Sequence, residues 1–529
     1  MNKSMTHKRQ ANRQEHASVL PIKTQSLCPE CLAVIDAEIN DVDGMVYMDK
    51  YCPVHGFCHE LISRDTEFYE LMLERDLSSG RGVTNPLKGK QAACPNGCGI
   101  CSEHLSPPMM VNIDLTNRCN LNCPVCFANA SAMGKVIELD IEQVRTMLDA
   151  ACGTDKVKPV CFQYTGGEPT IHPDFLEALR AAKKHNFTQI QVATNGITFA
   201  RDAGFAAQAS EAGLNVAYLQ FDGLDDRVYL QTRGRALLDV KIKAIRNLYS
   251  AGIRTVLVPT IVKGVNDNQI GAITRFAIEN IDQIIGISWQ PVAFTGRIDY
   301  KQRLAQRFTL SDLAFEVQRQ TGLVDMYRDW YPFCFAGPFA QLLEEITGEP
   351  QLTLSCNPTC GAVTYIVVSS DRKEILPIPA FVDVDSLMGK IAEITESLKS
   401  HRYFHKLSLL KKLHGLKKYY YKDLGPAQWT FDNLVDFIMD FVDFRKRYGN
   451  NMSRINATAQ RHYNILLMAS MHFQDVYNYQ IDRVRRCVVH YAAPDGRMYP
   501  FCSYNSGPCH RNRIERQFMI PKEQNLRNA

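Results

Sequence analysis

A chain of 529 residues is too long for one ordinary domain, and 45% hydrophobic with 22% charged residues is the balance of a globular protein. A net charge of +4 is too small to indicate a nucleic-acid partner by itself. No apolar run approaches the roughly 18 residues of a membrane span. Residues 1–26 are polar and basic without the apolar core of a secretory signal. We therefore expect a disordered leader over 1–26 and a cytoplasmic protein.

The cysteine spacing is typical of metal ligands rather than of disulfides. The chain has 18 cysteines, most of them in short clusters. Disulfides are rare in the reducing cytosol, whereas thiolates bind iron and zinc well. After the leader we expect three regions: a metal-knuckle and auxiliary-cluster region (27–106), a region of alternating strands and helices (107–298), and a helix-rich, cysteine-bearing C-terminal domain (299–529).

Two cysteine knuckles open the first region. Cys28-Pro-Glu-Cys31 is followed, roughly twenty residues later, by Cys52-Pro-Val-His55, a spacing that predicts a four-ligand site of zinc-ribbon or rubredoxin type. His55 keeps the knuckle spacing, while Cys58 would complete an all-thiolate site, and we favour His55. The sequence leaves zinc and iron open, and a purely structural role fits at least as well as a redox role.

A second cluster, with Cys-x3-Cys-x2-Cys spacing, closes the first region at Cys94, Cys98 and Cys101. No strand pattern precedes it, so a site that cleaves a cofactor is not expected there. We predict instead that it holds an auxiliary iron–sulfur cluster, completed by a cysteine from elsewhere in the chain.

The middle region alternates short apolar runs with helical patterns. The β-rich runs are Met109–Thr116, Val160–Thr165, Gln189–Thr194, Val216–Asp222, Arg254–Val262 and Gly286–Val292. Between them, Ile141–Ala151 and Phe175–His185 show apolar residues three and four apart, as helices do. The alternation predicts an α/β fold with a parallel sheet built from βαβ units. Periodicity leaves an open sheet and a partial barrel as alternatives.

The first of these strands runs directly into Cys119, Cys123 and Cys126. Three thiolates at this spacing hold three irons of a cubane cluster and leave the fourth iron without a protein ligand. An iron with an open position can bind and polarise a small molecule. A zinc knuckle or buried thiols are the alternative, and the strand immediately before the triad favours the cluster.

This strand and cysteine triad resemble the signature of the radical S-adenosylmethionine (SAM) superfamily. The resemblance covers residues 109 to about 297 and implies a partial (β/α)6 TIM barrel. It implies that the catalytic cysteines are Cys119, Cys123 and Cys126, that the open iron chelates the amino and carboxylate groups of SAM, and that an electron from the cluster yields a 5′-deoxyadenosyl radical. An electron donor such as flavodoxin or ferredoxin is then expected.

Further motifs of that superfamily follow in order at the strand ends. Thr165-Gly166-Gly167-Glu168-Pro169 resembles the motif that holds the SAM amino group. Glycines permit close backbone approach, and a carboxylate accepts hydrogen bonds from an ammonium group. Parallel α/β folds place their active sites at the carboxyl ends of the strands. The cofactor-binding residues that the resemblance implies are Gly166, Gly167, Glu168, Asn195, Asp222, Thr260 and Gln290.

The C-terminal region carries five further candidate ligands: Cys356, Cys360, Cys487, Cys502 and Cys509. With the three of the second cluster they make eight thiolates, enough for two fully ligated auxiliary [4Fe–4S] clusters. The sequence leaves open how the tail cysteines divide between them. Cys152, Cys161 and Cys334 are expected to be core thiols, since free cysteine is commonly buried.

The whole chain also resembles one branch of the superfamily, which contains archaeal tetraether lipid synthase and the class D radical SAM methylases. The resemblance implies an enzyme that abstracts hydrogen from an unactivated carbon and forms a carbon–carbon bond there. Coupling of lipid chains is the first activity expected, and methylation of a pterin or another small heterocycle is the alternative. An iron–sulfur nucleic-acid binder or redox sensor is a remote alternative, because it leaves the SAM motifs unexplained, and no nucleic-acid partner is expected.

One stretch favours a lipid substrate. From Lys399 to Lys422 basic residues interleave with leucines and no acidic residue intervenes. A basic amphipathic helix of this kind can lie on an anionic membrane surface, which predicts peripheral membrane contact. The alternative is a solvated face whose leucines pack on the core. The pattern of Phe431–Phe444 is that of an ordinary amphipathic helix.

Overall fold

The structure is a computed structural model that describes residues 18–78, 80–86, 93–126, 135–153, 155–156, 158–294, 300–400, 413–442, 463–518 and 520–521. Most of the predicted leader lies outside these ranges. The last residues of the predicted leader are described and ordered in a strand. The first strand begins at Ile22 and pairs antiparallel with the second, with Ile22 opposite Ile39. That pairing satisfies backbone hydrogen bonds that a disordered leader would leave to water, so the leader ends earlier than residue 26.

The N-terminal region is a small antiparallel sheet followed by one helix. Its strands pair in chain order: β1 (Ile22–Leu27), β2 (Val34–Val42), β3 (Met45–Cys52) and β4 (Gly56–Ser63). Helix α1 (Thr66–Glu74) begins after Asp65, whose side chain accepts a hydrogen bond from the Phe68 amide. Ile39, Met48 and Tyr69 share the small apolar core between the sheet and this helix.

The middle region forms a curled half-barrel with helices outside. Its strands are β5 (Met110–Thr116), β6 (Lys135–Val136), β7 (Cys161–Gly166), β8 (Gln189–Thr194), β9 (Val216–Gln220), β10 (Arg254–Val258), β11 (Thr260–Ile261) and β12 (Ile284–Pro291). Its helices are α2 (Ile141–Gly153), α3 (Phe175–Lys184), α4 (Ile197–Arg201), α5 (Ala203–Ala212), α6 (Asp226–Arg233), α7 (Leu238–Ser250) and α8 (Ile270–Glu279). The six predicted strands are all present and parallel, in the order β5-β7-β8-β9-β10-β12. The fifth predicted run is interrupted at Pro259, which lacks an N–H for the ladder.

The C-terminal region contributes strands as well as helices in its described residues. The strands are β13 (Tyr331–Pro332), β14 (Gly361–Ser369), β15 (Ile375–Pro377), β16 (Tyr463–Met471), β17 (Val489–Ala492), β18 (Met498–Pro500) and β19 (Ile520–Pro521). The helices are α9 (Tyr300–Gln306), α10 (Leu310–Thr321), α11 (Gly337–Thr347), α12 (Val384–Ser400), α13 (Phe431–Val442), α14 (Ile481–Arg485), α15 (Phe501–Asn505) and α16 (His510–Phe518).

Two of these strands extend the barrel sheet at opposite edges, which the expectation of a helix-rich tail had missed. β16 pairs parallel with β12, and β17 pairs parallel with β5. The complete order is β13-β14-β16-β12-β10-β9-β8-β7-β5-β17-β18, with β15 beside β14 and β11 beside β12. Strand pairing therefore crosses the expected domain boundary at residue 298, and the tail is built into the core.

The basic stretch that favoured a lipid surface does not form one helix in its described part. Residues 401–412 lie outside the described residues, and Gly415–Tyr419 form a short 3₁₀ turn. Leu416 and Tyr420 are buried in the apolar core of the tail, where Tyr420 lies edge-on to Phe381. These side chains pack inward, as the alternative interpretation held. No helix in the described ranges is long and apolar enough to cross a bilayer.

A buried charge cluster joins the N-terminal sheet to the barrel and to the tail. The Arg307 guanidinium contacts Glu60 of β4 at 2.5 Å and Asp475, after β16, at 2.6 Å. Arg303 adds a second contact to Glu60 at 2.8 Å. The Arg307 and Asp475 side chains are fully buried, so water does not weaken these ion pairs.

Replacing Arg307 tests this junction. Arg307→Met leaves two buried carboxylates without their shared cation, and breaking a buried pair typically costs about 3–5 kcal/mol. We expect a clearly lower thermal unfolding temperature by calorimetry. Arg319→Met is the matched control, because it removes the exposed partner of Glu316 and should change stability by about 0.5 kcal/mol or less. Equal effects of the two substitutions would contradict the junction.

Candidate active site and metal centres

The cysteine triad follows β5 in a loop that the barrel holds from two sides. Cys119, Cys123 and Cys126 are half-buried, and Sγ of Cys119 accepts a hydrogen bond from the Leu121 amide at 3.4 Å. Burial, with contributions from Glu168, Cys123 and Cys126, raises the pKa of Cys119 to about 11. Thiols in this setting ionise when a metal takes up their charge, and the donor set fits an iron–sulfur cluster.

The glycines after β7 let two backbone segments touch. The Gly167 amide donates to the Thr116 carbonyl at 2.7 Å, and the Glu168 amide donates to the Arg118 carbonyl at 2.8 Å. A Cβ on Gly167 would lie 2.1 Å from the Arg118 oxygen, and one on Gly166, which has φ +126°, would lie 2.2 Å from the Thr116 oxygen. Only glycine permits this approach. The glycines therefore fix the cysteine loop against the second strand.

The Glu168 carboxylate is buried and already hydrogen-bonded. Oε1 accepts from the amide and hydroxyl of Thr170 and from the Thr194 hydroxyl at 2.8 Å, and Oε2 accepts from the Asn195 amide at 2.7 Å. Burial raises the pKa of Glu168, and these donors oppose that rise. Oε2 accepts this one hydrogen bond, and a carboxylate oxygen can accept a second. Contact of Oε2 with the SAM ammonium stays a prediction.

Asn195 connects the cysteine loop to the third core strand. Its side-chain amide donates to Oδ1 of Asn120 at 2.7 Å and lies 4.0 Å from Sγ of Cys119. Its carbonyl accepts from the Lys241 ammonium at 2.6 Å. The predicted cofactor residue Asn195 thus borders the triad directly.

Asp222 organises the ends of the fourth and fifth strands. Its carboxylate accepts from the Gln220 amide, the Thr232 hydroxyl, the Thr260 amide and the Arg233 guanidinium, which contacts both oxygens. Arg233 in turn donates to the carbonyl of Val125, inside the cysteine loop, at 2.7 Å. The buried ion pair therefore ties the loop to the barrel. Direct contact of Asp222 with a cofactor stays a prediction.

Thr260 and Gln290 meet at the next strand ends. They are opposite each other in the β11–β12 pairing, and the Thr260 hydroxyl accepts from Arg233 at 3.2 Å. The Gln290 amide donates to the Pro259 carbonyl at 2.9 Å. All of the predicted cofactor residues thus lie at the carboxyl edge of the parallel sheet, around the cysteine loop.

Sequence reasoning missed Lys241, which is fully buried beneath this edge. Its ammonium donates to the Asn195 carbonyl and to Oε1 of Gln220 at 2.8 Å, while Gln220 donates to Asp222. Burial lowers the pKa of Lys241 to about 7. The sequence did contain an indication of this role. Lys241 lies three and four residues before Ala244 and Ile245, on the apolar face of its helix, where a buried charge needs a specific partner.

The first predicted metal site is assembled in the N-terminal sheet. One ligand atom from each of Cys28, Cys31, Cys52 and His55 lies within 4.8 Å of all the others. Nδ1 of His55 is 3.5 Å from Sγ of Cys28 and 3.6 Å from Sγ of Cys52. The Val54 amide and then His55 lower the pKa of Cys52 to about 6, which favours its thiolate. Cys58 is not part of this group of four.

Cys360 contacts a buried arginine, and Cys356 shares an apolar cluster with Cys487. Nε of Arg483 donates to Sγ of Cys360 at 3.4 Å. Burial raises the pKa of Cys502 to about 11; Arg483 lowers it and Cys360 raises it. Burial likewise raises the pKa of Cys487, with added contributions from Cys502 and Cys360, and that of Cys356, with a contribution from Cys360.

The second N-terminal cysteine group packs against the end of the tail. Cys94 and Cys98 share an apolar cluster with Cys502, and the Ser503 hydroxyl lies 3.6 Å from Sγ of Cys98. Burial, with contributions from Cys98 and Cys101, raises the pKa of Cys94 to about 12. A ring nitrogen of His510, the residue after Cys509, lies 3.0 Å from the carbonyl of the residue after Cys94.

Comparison with known proteins agrees with this arrangement. The radical SAM superfamily model matches residues 113–277, and that of the HMPTM N-terminal zinc ribbon domain matches residues 20–64. The chain is 39% identical over 505 residues to the 7,8-dihydro-6-hydroxymethylpterin dimethyltransferase of Methanocaldococcus jannaschii, covering 95% of this chain and 96% of the relative. The chain belongs to the family of that dimethyltransferase, within the radical SAM superfamily. It is a radical SAM enzyme, with a zinc ribbon at its N-terminal side.

Other matches of this radical SAM enzyme cover less of it. The probable GTP 3′,8-cyclase of Pyrococcus horikoshii is 33% identical over 175 residues, which are 33% of this chain and 53% of that protein. Among solved structures, Streptococcus suis SuiB bound to S-adenosylmethionine has a TM-score of 0.32 and 19% identity, covering 41% of this chain and 47% of that chain. At that score the likeness adds nothing to the family assignment.

A substitution at Gly167 tests the close approach in the radical SAM core. Gly167→Ala places a methyl group against the Arg118 carbonyl, so we expect loss of iron from the cysteine triad and of SAM binding, measured by iron analysis and equilibrium dialysis. Gly389→Ala is the control: it lies inside α12 with nothing within 4 Å of the added carbon, and should be neutral or stabilising. Full iron and SAM binding in Gly167→Ala would refute the constraint.

The ribbon geometry separates His55 from Cys58 as the fourth ligand. We expect His55→Ala to lower the metal content by one ion per chain, because losing one of four ligands weakens a structural site strongly. Cys58→Ser should keep full metal content. Elemental analysis of the purified protein measures both and also identifies the ion. Loss of metal in Cys58→Ser with retention in His55→Ala would reverse the assignment.

Proposed function

We propose that this radical SAM enzyme methylates carbon on a pterin. The observation that carries the proposal is the 39% identity to a pterin dimethyltransferase across 95% of the chain, which spans the ribbon, the barrel and the tail together. Lipid-chain coupling, the first activity expected from the sequence, has no comparable support. The basic stretch that favoured it packs its described leucines and tyrosine inward.

In this proposal the barrel residues build the SAM site. Cys119, Cys123 and Cys126 hold a [4Fe–4S] cluster, which when bound supplies the electron that cleaves SAM. The backbone of Gly166 and Gly167 and the free position on Oε2 of Glu168 face the SAM ammonium and carboxylate. The chain's own contribution is rigidity, because buried hydrogen bonds fix every strand end around the loop.

The interior of the barrel fits a polar heterocycle better than a lipid chain. Side chains on the inner face include Asn112 and Gln163, joined by a hydrogen bond of 2.9 Å, and Gln191 beside them on β8. Among these amides, Oε1 of Gln163 has no hydrogen-bond partner, and a bound hydrocarbon would leave it so, at a cost of about 1–3 kcal/mol. A pterin offers ring nitrogens, an amino group and a carbonyl to them.

The tail and the second N-terminal cysteine group supply ligands for two auxiliary [4Fe–4S] clusters. Cys356, Cys360, Cys487 and Cys502 would hold one, which we call the tail cluster. Cys94, Cys98 and Cys101 would hold the other, with Cys509 as the remaining candidate. The mutual influence of the tail thiols on one another's pKa supports the first set. The hydrogen bond from His510 to the Cys94 loop supports the second.

Methylation requires removal of hydrogen from the substrate carbon and delivery of a one-carbon unit to the same carbon. The hydrogen atom moves to the 5′-deoxyadenosyl radical and leaves as 5′-deoxyadenosine. The one-carbon unit comes from SAM or from another methyl or methylene donor. A low-potential reductant such as a flavodoxin or ferredoxin would provide the electron for SAM cleavage and the further electrons that convert the substrate carbon radical and the transferred one-carbon unit into a closed-shell methylated product.

An anaerobic assay tests the function. Reconstituted protein, SAM and dithionite are mixed with 7,8-dihydro-6-hydroxymethylpterin in one reaction and with cellular lipid extract in another, each with a soluble cell extract as a source of one-carbon donor. Mass spectrometry should show pterin heavier by one or two methylene units, 5′-deoxyadenosine and unchanged lipid. Cys123→Ala should abolish both products, whereas Cys152→Ala, a half-buried thiol of α2, should keep them.

The outcomes separate the parts of the proposal. If 5′-deoxyadenosine forms while the pterin stays unchanged, the SAM site is correct and the substrate is wrong. Coupled lipid in the second reaction would restore the first expectation. Retained SAM cleavage in Cys123→Ala would overturn the assignment of the cysteine triad.

A further inference from the structure

Arg483 is a buried cation among groups that do not balance its charge. Arg483 is about 5% exposed and lies on the short helix α14. No carboxylate of the described residues forms an ion pair with it. Its recorded hydrogen bonds go to Sγ of Cys360 at 3.4 Å and to the carbonyl of His472. A buried guanidinium without an anion costs several kcal/mol.

The titratable side chains beside Arg483 do not supply the missing charge. Burial raises the pKa of Tyr69 to about 12, so this phenol is neutral at pH 7. The Arg483 guanidinium donates instead to the thiol of Cys360 and to the carbonyl of His472. Among the described residues, the hydrogen-bond partner of Arg483 that can become an anion is therefore the thiol of Cys360.

A nearby arginine, Arg486, has a different environment from Arg483. Arg486, one turn along, also lies beside the tail cysteines and donates to the Cys356 carbonyl. Asp76 contacts its guanidinium through both oxygens, at 2.6 and 2.8 Å. That charge is balanced by protein alone. Of these two arginines, Arg483 has a ligand thiol in place of a carboxylate as its partner.

We propose that Arg483 raises the reduction potential of the tail cluster by its positive charge and by its N–H···S hydrogen bond to Cys360. The inference rests on the proposed tail cluster. Reduction adds one electron, supplied by the external donor, and so makes the cluster more negative. A nearby guanidinium and a hydrogen bond to a ligand sulfur stabilise the reduced form more than the oxidised form. Arg483 is thus a tuning residue that acts through Cys360, without contact to substrate.

The test is a redox titration of the reconstituted protein followed by electron paramagnetic resonance. Cys360→Ser first identifies the signal of the tail cluster, because that variant should lose about four irons per chain together with one signal. In Arg483→Gln that same signal should titrate at a lower potential than in the wild type, while the other signals keep theirs. Arg483→Lys retains the charge without the planar guanidinium, and should restore most of the difference.

Each outcome decides between the claims. An unchanged potential in Arg483→Gln with full iron content overturns the inference and leaves the tail cluster standing. If Arg483→Gln loses the tail cluster, Arg483→Lys decides: a retained cluster near the wild-type potential supports the role of charge, and loss in both variants shows a structural role and overturns it. Full iron content in Cys360→Ser would instead refute the tail cluster of the proposed function.

Discussion

The contact of Arg307 with Glu60 and Asp475 joins the N-terminal sheet to the C-terminal region, and the Phe294 amide at the end of the barrel donates to the same Asp475 carboxylate at 3.1 Å. Glu60 belongs to the N-terminal sheet, Arg307 follows the barrel, and Asp475 lies in the tail a few residues after β16. Each is a charge that cannot remain buried alone. The ribbon is thereby held against the C-terminal region, which in turn pairs with both edges of the barrel sheet.

Other buried cations of the chain also need a partner for their charge, and the partner differs from one to the next. Arg233 is balanced by Asp222 and holds the cysteine loop through the Val125 carbonyl. Lys241 has two neutral acceptors, Asn195 and Gln220, and burial lowers its pKa to about 7 accordingly. Arg483 is flanked by thiols. Buried cations thus mark the edge of the SAM site and the tail cysteines, and their partners indicate whether protein or a bound group completes the charge.

Sequence alone predicted the parts of this molecule that depend on local pattern. Strand-ending glycines such as Gly166 and the triad from Cys119 to Cys126 have fixed spacings, and the six core strands follow from alternation of apolar runs with helices. It could not predict pairings between distant segments. The runs Gly361–Ser369 and Tyr463–Met471 are rich in apolar and β-branched residues, yet nothing local indicates that the second joins β12 while Val489–Ala492 joins β5. The ligand roles of the predicted cofactor residues remain predictions.

Those distant pairings explain why the tail cysteines come together. Cys360 immediately precedes β14, which reaches the barrel through β16 at one edge of the sheet. Cys487 precedes β17 and Cys502 follows β18, at the opposite edge. A half-barrel leaves a gap between its edges, and Cys356, Cys487 and Met471 share one apolar cluster there. A metal cluster bound there would connect the two edges covalently through sulfur, so that ligand binding by the tail and closure of the barrel would be one and the same event. Removing the cluster should then loosen both edges of the sheet at once, including β5, which leads directly to the cysteine triad.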